Sequence, residues 1–242
     1  MKLIKLNAID STNDFLKALH VAENLESFTV VTAESQTKGK GQRGAVWNSQ
    51  EGKNLISSIL VKDFVFSTVH LFDISIITSL AVVSVLQDWN VPELSIKWPN
   101  DIMAGNKKIG GILIENIVKS DENIHSIIGI GLNVNQMNFE NLPKASSLAL
   151  ICQKEFDKSV LPELIVSKMK NLIASWTTNA NYSWQLYLDT LFKKNIPMAF
   201  KCNDDLPFMG IIVGVERNGK LKVKLEDDTF STFDIREIQM LY

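Results

Sequence analysis

Cysteine is scarce in this 242-residue chain. Cys152 and Cys202 lie far apart with no metal-like spacing, so neither a disulfide framework nor a thiolate metal site organises it, and two reduced thiols are expected. Excess charge is missing too: a formal net charge of −2 gives no electrostatic reason to expect a nucleic-acid partner. Six prolines, twelve glycines, 45% hydrophobic and 21% charged residues describe an ordinary globular protein, neither disordered nor fibrous. The longest apolar stretch, Ile74 to Leu86, is interrupted by Ser75, Thr78, Ser79 and Ser84 and ends at Gln87-Asp88. That is short of the roughly 20 residues a membrane span needs. The run from Met1 to Asn7 breaks too early for a signal peptide, so a soluble, cytoplasmic protein is expected. There is no G-x-x-x-x-G-K-[ST] phosphate loop, no internal repeat and no low-complexity tract.

What is present centres on Lys38-Gly39-Lys40-Gly41-Gln42-Arg43-Gly44-Ala45-Val46-Trp47, which follows the apolar run Phe28 to Thr32 and Gln36. Glycines allow close approach of backbone to ligand, Lys40 and Arg43 offer positive charge to phosphate or carboxylate oxygens, and Trp47 supplies a flat wall for stacking. Gly39, Gly41 and Gly44 satisfy G-x-G-x-x-G, but a dinucleotide site needs the third glycine to open a helix. Here turn signals at Asn48-Ser49 and Glu51-Gly52 lead instead into the strand-like run Leu55 to Val61. A basic loop in a near-neutral chain points to a small anionic ligand; a solvated hairpin tip is the alternative for the loop alone.

Around this loop the chain divides into two textures. Ser11 or Thr12 caps an amphipathic helix beginning near Phe15, and the same hydroxyls could face a ligand. His70 to Trp89 carries helical spacing through Ile74, Ile77, Leu80, Ala81, Val85 and Leu86. Leu94 to Lys97 is a strand entering the Pro99-Asn100-Asp101 turn. Gly105-Asn106 marks a hairpin tip before Lys108 and the strand containing Gly110-Gly111. Ser126 to Asn135 is a strand with alternating glycines, leaving Asn133 either a turn residue or a reader of a ring edge. Pro143 to Cys152, Leu161 to Trp176 and Tyr182 to Phe192 read as three helical segments. From Ile196 the texture is β: Met198 to Cys202, Phe208 to Val215, Leu221 to Leu225 and Phe230 to Ile235, with turns at Asn203-Asp204-Asp205, Asn218-Gly219 and Glu226-Asp227-Asp228. A boundary near Asn195 gives domains 1–194 and 195–242.

Taken together, Ser11-Thr12-Asn13, Gln36, the glycine loop with Trp47, Lys97-Trp98-Pro99-Asn100-Asp101, Lys108-Ile109-Gly110-Gly111-Ile112-Leu113 and Gly129-Ile130-Gly131-Leu132-Asn133 resemble the biotin–protein ligases, in that family's order. The resemblance covers about the first 135 residues. It implies an α+β fold, with a mixed-sheet catalytic domain of the biotin/lipoate ligase type and a small SH3-like β-barrel after it. It also implies that ATP with Mg2+ activates biotin to biotinyl-5′-AMP, and that a lysine of a biotin carboxyl carrier domain then takes the biotin. Biotin would be bound by Ser11, Thr12, Asn13, Gln36, Gly39, Lys40, Gly41, Gln42, Lys108 and Gly111. ATP and the adenylate would meet Lys40, Gln42, Arg43, Trp47, Asn100, Lys108 and Asn133. Lys108, Asp101 and Arg43 would be catalytic, with no protein-held metal. Some relatives carry an N-terminal DNA-binding domain; this chain starts at the catalytic domain, so no DNA partner is expected. Relatives commonly dimerise, which leaves a homodimer open.

The loop departs from the commonest G-R-G-R-x-G pattern by Lys40 and Gln42, and has Ala45 where a basic residue is usual. Lys replaces a bidentate fork by a point charge and Gln keeps a donor without charge, which predicts either looser retention of the adenylate or a loop ordered by other contacts. The loop is also expected to order over biotin. Two rival readings remain: a lipoate or octanoate ligase or transferase of related fold, and a non-catalytic module that sequesters a vitamin or nucleotide.

Overall fold

The computed structural model describes residues 1–65, 71–118, 123–140, 142–202 and 206–242, and only the backbone of Arg43, Asp63 and Val65. In chain order come β1 (Leu3–Ile9), α1 (Thr12–Glu23), β2 (Val30–Gln36), β3 (Leu55–Val65), α2 (Leu71–Asp88), β4 (Leu94–Lys97), β5 (Asp101–Ala104), β6 (Lys107–Val118) and β7 (Ile124–Leu132). They form one seven-stranded sheet in the order β1-β2-β3-β7-β6-β5-β4. Only β1 and β2 run parallel; every other neighbouring pair is antiparallel, so the sheet is mixed, as expected. Next follow α3 (Leu148–Cys152), α4 (Leu161–Asp189), β8 (Pro197–Lys201), β9 (Phe208–Val215), β10 (Leu221–Leu225), β11 (Phe230–Phe233) and β12 (Gln239–Leu241). The last five make a separate antiparallel sheet in the order β11-β10-β9-β8-β12.

Four features differ from the sequence reading. The segment read only as too short for a leader is β1, whose pairing with β2 makes it the outer strand of the large sheet. The two helices expected over Leu161 to Trp176 and Tyr182 to Phe192 are one helix of 29 residues. Thr177-Thr178-Asn179 are modest helix formers, but each costs only tenths of a kcal/mol. The inward stripe Met169, Ile173, Trp176, Ala180, Trp184, Tyr187 meanwhile keeps its spacing of three and four. Only Leu148–Cys152 of the expected Pro143 to Cys152 helix forms, capped by the Ser147 hydroxyl accepting from the Leu150 amide. The C-terminal sheet has a fifth strand, β12, too short to show a pattern. His70 and the Asn203-Asp204-Asp205 turn lie outside the described residues.

The two faces of the large sheet are unequal. On one face α2 and α4 bury a continuous apolar core that includes Ile77, Leu86, Ile112, Ile130 and Tyr187 and extends to Phe200, Ile212 and Val223 of the second sheet. On the other face α1 covers a small cluster of Leu16, Leu25, Val31, Leu60 and Ile127. By length and composition α2 could cross a bilayer, but 72% of it is buried in the protein, as befits a core helix. The smaller cluster leaves part of the α1 face of the sheet open.

The seam between the sheets is pinned by Trp98, 8% exposed, whose indole N–H donates to the Gly219 carbonyl at 2.9 Å. Trp98→Phe should keep the packing and leave that carbonyl unpaired, costing about 1–3 kcal/mol. Urea denaturation checks this; a loss under about 0.5 kcal/mol would mean that solvent satisfies the carbonyl.

Candidate active site

Strand register builds the site. Cα partners across the sheet run Ile56 with Gly131, Gly131 with Gly111, Gly111 with Asp101 and Asp101 with Lys97. Because directly opposed residues share a face, this row crosses five strands on the α1 side. It is apolar at Ile56, empty at two glycines and ionic at Asp101 and Lys97. A second row runs Ser58, Gly129, Leu113. The glycines are required for close approach. A Cβ on Gly131 would lie 2.5 Å from the Trp47 indole, and one on Gly129 would lie 2.6 Å from Asn13 Oδ1. The loop and the start of α1 therefore rest directly on bare backbone.

At the α1 end the polar groups are tightly connected. The Thr12 amide donates to Gln36 Oε1 at 2.7 Å, and the Thr12 hydroxyl lies 3.0 Å from the same oxygen. Ser58 Oγ lies 2.8 Å from Thr12 Oγ1 and 2.6 Å from Asn13 Oδ1; with one proton it donates to one of them at a time. Asn13 Nδ2 donates to Glu115 at 2.8 Å. Ser11 caps α1 by accepting from the Asp14 amide. Ser11, Thr12 and Asn13 are each under 4% exposed, so the helix start is a buried, preorganised polar wall.

The opposite end is cationic. Lys108 Nζ sits 2.6 Å from Asp101 Oδ1 and 5.6 Å from the centre of the Trp47 ring. Lys97 Nζ is 3.5 Å from Asp101 Oδ2. Burial pushes the Lys97 pKa below its ordinary value; Asp101 opposes this, while Lys108 and Lys144 add to it. Asn100 exchanges two bonds with Ile112, its Nδ2 donating to the Ile112 carbonyl at 2.7 Å and its carbonyl accepting the Ile112 amide at 3.0 Å.

The glycine loop closes the cleft between these ends. It is cross-linked by Gly41 N–H to Ala45 O, Trp47 N–H to Gly39 O and a bridge between Lys40 and Val46, with a single 3₁₀ turn at Gln42–Gly44. Lys38 pairs with Asp10 and Lys40 with Asp14, and both ammonium pKa values are raised by those carboxylates. The first pair is mostly exposed and the second about half exposed, so they guide the loop more than they stabilise the fold.

One cleft thus brings together Ser11, Thr12, Asn13, Gln36, Lys40, Gly41, Gln42, Trp47, Asn100, Asp101, Lys108 and Gly111. Gly39 stands just behind it, supporting Trp47. Asn133 does not reach the cleft wall: it is 5% exposed and its Nδ2 donates to the Ser146 carbonyl at 3.0 Å, which makes it a loop anchor here. The Arg43 side chain lies outside the described residues. Sequence reading missed the parts played by Ser58, Glu115 and Lys97. Sequence reading expected a close approach at the Gly110-Gly111 pair; the closest approaches fall on the alternating glycines of β7, where Trp47 lies against Gly131 and Asn13 against Gly129.

A family model for the biotin/lipoate A/B protein ligase family matches residues 6–133, more than half of the chain. The chain belongs to that family. The bifunctional ligase/repressor BirA of Bacillus spizizenii is 37% identical over 139 residues, which are 56% of this chain and 41% of that protein. The chain spans less than half the length of the Bacillus relatives it matches. The biotin–[acetyl-CoA-carboxylase] ligase of Mycobacterium tuberculosis is 30% identical over 192 residues, covering 78% of this chain and 69% of that one. The fold is shared with the biotin protein ligase of Aquifex aeolicus solved with biotin and ATP, at a TM-score of 0.80 and 24% identity, with 99% of this chain and 98% of that chain covered.

Within this member of the ligase family the glycine trough makes a sharp prediction. Gly131→Ala should force the Trp47 indole off the sheet and speed limited proteolysis of the 38–47 loop several-fold; an unchanged cleavage rate would show that Trp47 is not what holds the loop.

Proposed function

We propose that this chain is an ATP-dependent biotin–protein ligase. The observation that carries this reading is a single trough with uncharged donors and acceptors at one end, bare glycine backbone in the middle, and the Lys108–Asp101 pair at the other. Biotin has matching parts: an uncharged ureido ring, an apolar tail and a carboxylate. Ser11, Thr12 and Gln36 meet the ureido group, where unmatched polar groups would be costly and so give selectivity. The tail lies over Gly131 and Gly111, and the carboxylate reaches Lys108. These supports join the relatives named as biotin ligases and the solved neighbours that hold biotin and ATP.

In the first half-reaction a biotin carboxylate oxygen attacks the α-phosphorus of ATP. A P–O bond forms, the bond to the pyrophosphate bridging oxygen breaks, and pyrophosphate leaves with the electron pair. Lys108, held by Asp101, presents fixed positive charge to the carboxylate and α-phosphate as charge builds there. Trp47 and Gln42 enclose the adenylate, with Arg43 in the same loop. In the second half-reaction an acceptor lysine attacks the biotinyl carbonyl and AMP leaves. Asp101 orients Lys108 and is the carboxylate positioned to receive the proton of the incoming amine.

Magnesium would arrive with the polyphosphate. Among the described residues no group of three His, Cys, Asp or Glu side chains converges as a metal cage, and Asp101, the cleft's acid, is already shared by two lysines. The donor set does not fit a resident ion, and no step is routed through one. The acceptor is a biotin carboxyl carrier domain, and the setting is cytoplasmic, with no DNA or membrane partner. Residues 1–194 form the catalytic domain and 195–242 the C-terminal barrel.

The test is pyrophosphate exchange into ATP with biotin, lipoate or octanoate. Exchange that requires biotin is expected; exchange with lipoate would reassign the substrate, and none with any acid would leave a binding module. Lys108→Ala should lower exchange about 100-fold or more, the scale for one charge-stabilising group. Gln42→Arg should slow biotinyl-5′-AMP dissociation several-fold by restoring a bidentate contact; an unchanged rate in a ligand-chase experiment would mean that the family's arginine is not needed here.

A further inference from the structure

The polar end of the trough holds a chain of groups whose proton order decides what it can bind. Asn13 Nδ2 lies 2.8 Å from Glu115 Oε2 and 3.5 Å from the Leu113 carbonyl, both acceptors, which turns Asn13 Oδ1 toward Ser58 Oγ at 2.6 Å. Thr12 Oγ1 stands 2.8 Å from Ser58 Oγ, and Gln36 Oε1 stands 3.0 Å from Thr12 Oγ1. Ser58, Thr12 and Asn13 are each at most 3% exposed, so bulk water does little for any group they leave unpaired. Glu115, partly buried, stands behind Asn13 and does not line the cleft.

Two proton orders are open to this chain. A carboxylate only accepts, an amide has one accepting and one donating end, and each hydroxyl has one proton to give. With Glu115 accepting from Asn13, the Asn13 oxygen must accept from Ser58. The Thr12 proton is then the one left for the 2.8 Å contact, and Thr12 donates to Ser58. Thr12 Oγ1 and Gln36 Oε1 remain as two acceptors facing each other at 3.0 Å. With Asn13 turned over, Nδ2 would donate to Ser58, Ser58 to Thr12, and Thr12 to Gln36. Gln36 Oε1, which already accepts the Thr12 amide at 2.7 Å, would then have both lone pairs engaged. Ser11 differs, since its Oγ accepts from the Asp14 amide at 3.3 Å and keeps its own proton to donate. The first order thus sets one hydroxyl donor beside two acceptors, the complement of a carbonyl flanked by two N–H groups.

Resting on the biotin-ligase reading above, we propose that Glu115 is a positioning residue for biotin: its carboxylate, acting through Asn13 and Ser58, fixes the proton order that makes Thr12 Oγ1 and Gln36 Oε1 acceptors for the ureido N–H groups. That order sets two buried oxygens against each other, a cost that an N–H donor between them removes. An acid that ends in a dithiolane ring or an alkyl chain has no N–H to give and leaves both acceptors unpaired. The carboxylate that favours biotin therefore also excludes lipoate and octanoate.

The experiment measures biotin Kd, and KM values in pyrophosphate exchange, on the full-length chain. Glu115→Gln keeps the shape but lets position 115 donate or accept, so Asn13 is no longer held one way round. Biotin Kd and KM should rise about tenfold or more, while the KM for ATP and kcat stay within about twofold. Moving the charge one step along the chain restores the order: with Glu115→Gln and Asn13→Asp together, the new amide donates to the new carboxylate, which still accepts from Ser58. Biotin Kd should then return to within about threefold of wild type. Ser58→Ala cuts the chain in the middle and should weaken biotin to a similar degree, with Glu115→Gln adding no more than about twofold on top of it. An unchanged biotin Kd in Glu115→Gln would overturn the assignment, as would a double variant no tighter than Glu115→Gln alone, or losses that multiply when Glu115→Gln is added to Ser58→Ala. Equal rises in the KM for ATP and for biotin would also overturn it, since that is the mark of a structural role. Each of these results leaves the ligase reading standing; wild-type protein with no biotin-dependent exchange would remove that reading and the assignment with it.

Discussion

Asp101 and Lys108 meet because β6 carries one extra residue in the stretch that pairs with β5. Ile102 pairs with Gly110 but Met103 pairs with Lys108, so Ile109 is the extra residue and the register slips by one. In a regular strand Lys108 would share a face with Gly110 and Ile112, which is the face covered by α2, and its ammonium would point into apolar packing. The bulge turns it over to the side of Asp101, the device by which strands re-aim single side chains. The slip thereby brings the ammonium onto the face that already holds the acid and the glycine trough.

The trough has its own cost. Gly129 and Gly131 contribute no side chains to the α1 face, while their alternating partners Ile128, Ile130 and Leu132 are buried on the other. The sheet therefore draws its stability from the α2 and α4 side, where the core is continuous across both sheets, and leaves the α1 side to a ligand. Trp47 covers part of the bare backbone. Its indole N–H is buried without a hydrogen-bond partner, a cost that a ligand acceptor would remove.

Much of this was legible in the sequence because the signals are local. Asn218-Gly219 marked a hairpin, and β9 and β10 lie where alternation and turn chemistry put them. The residues of the cleft were recognisable as a set, chiefly from their resemblance to a family and less from any single motif. What escaped reading is non-local. The pairing of β1 with β2 depends on a partner 27 residues away, and nothing in Leu3–Ile9 alone demands it. The break expected in α4 came from weighing weak helix formers above an unbroken stripe. Asn133 could be placed at a strand end but not assigned a partner, since only the fold reveals that Ser146 takes its amide. Lys97 shows the same limit: its burial, and the nearness of Lys108 and Lys144 that adds to the lowering of its pKa, come from the fold and not from its local sequence.

The second sheet belongs to the site through geometry. Trp98, immediately after β4, is held by Gly219 of the small sheet, and Asn100, two residues on, is held by Ile112 of β6. Asp101 follows directly, so its carboxylate is positioned by a turn anchored at both ends, one anchor from each sheet. Substituents placed this way lose little entropy when charge develops beside them. A small shift of the C-terminal sheet would move Trp98, then the turn, then the one carboxylate that Lys97 and Lys108 share. The seam is thus where packing energy becomes electrostatic precision, and it explains why the chain commits a buried tryptophan and a hairpin tip to the far side of a cleft that neither touches.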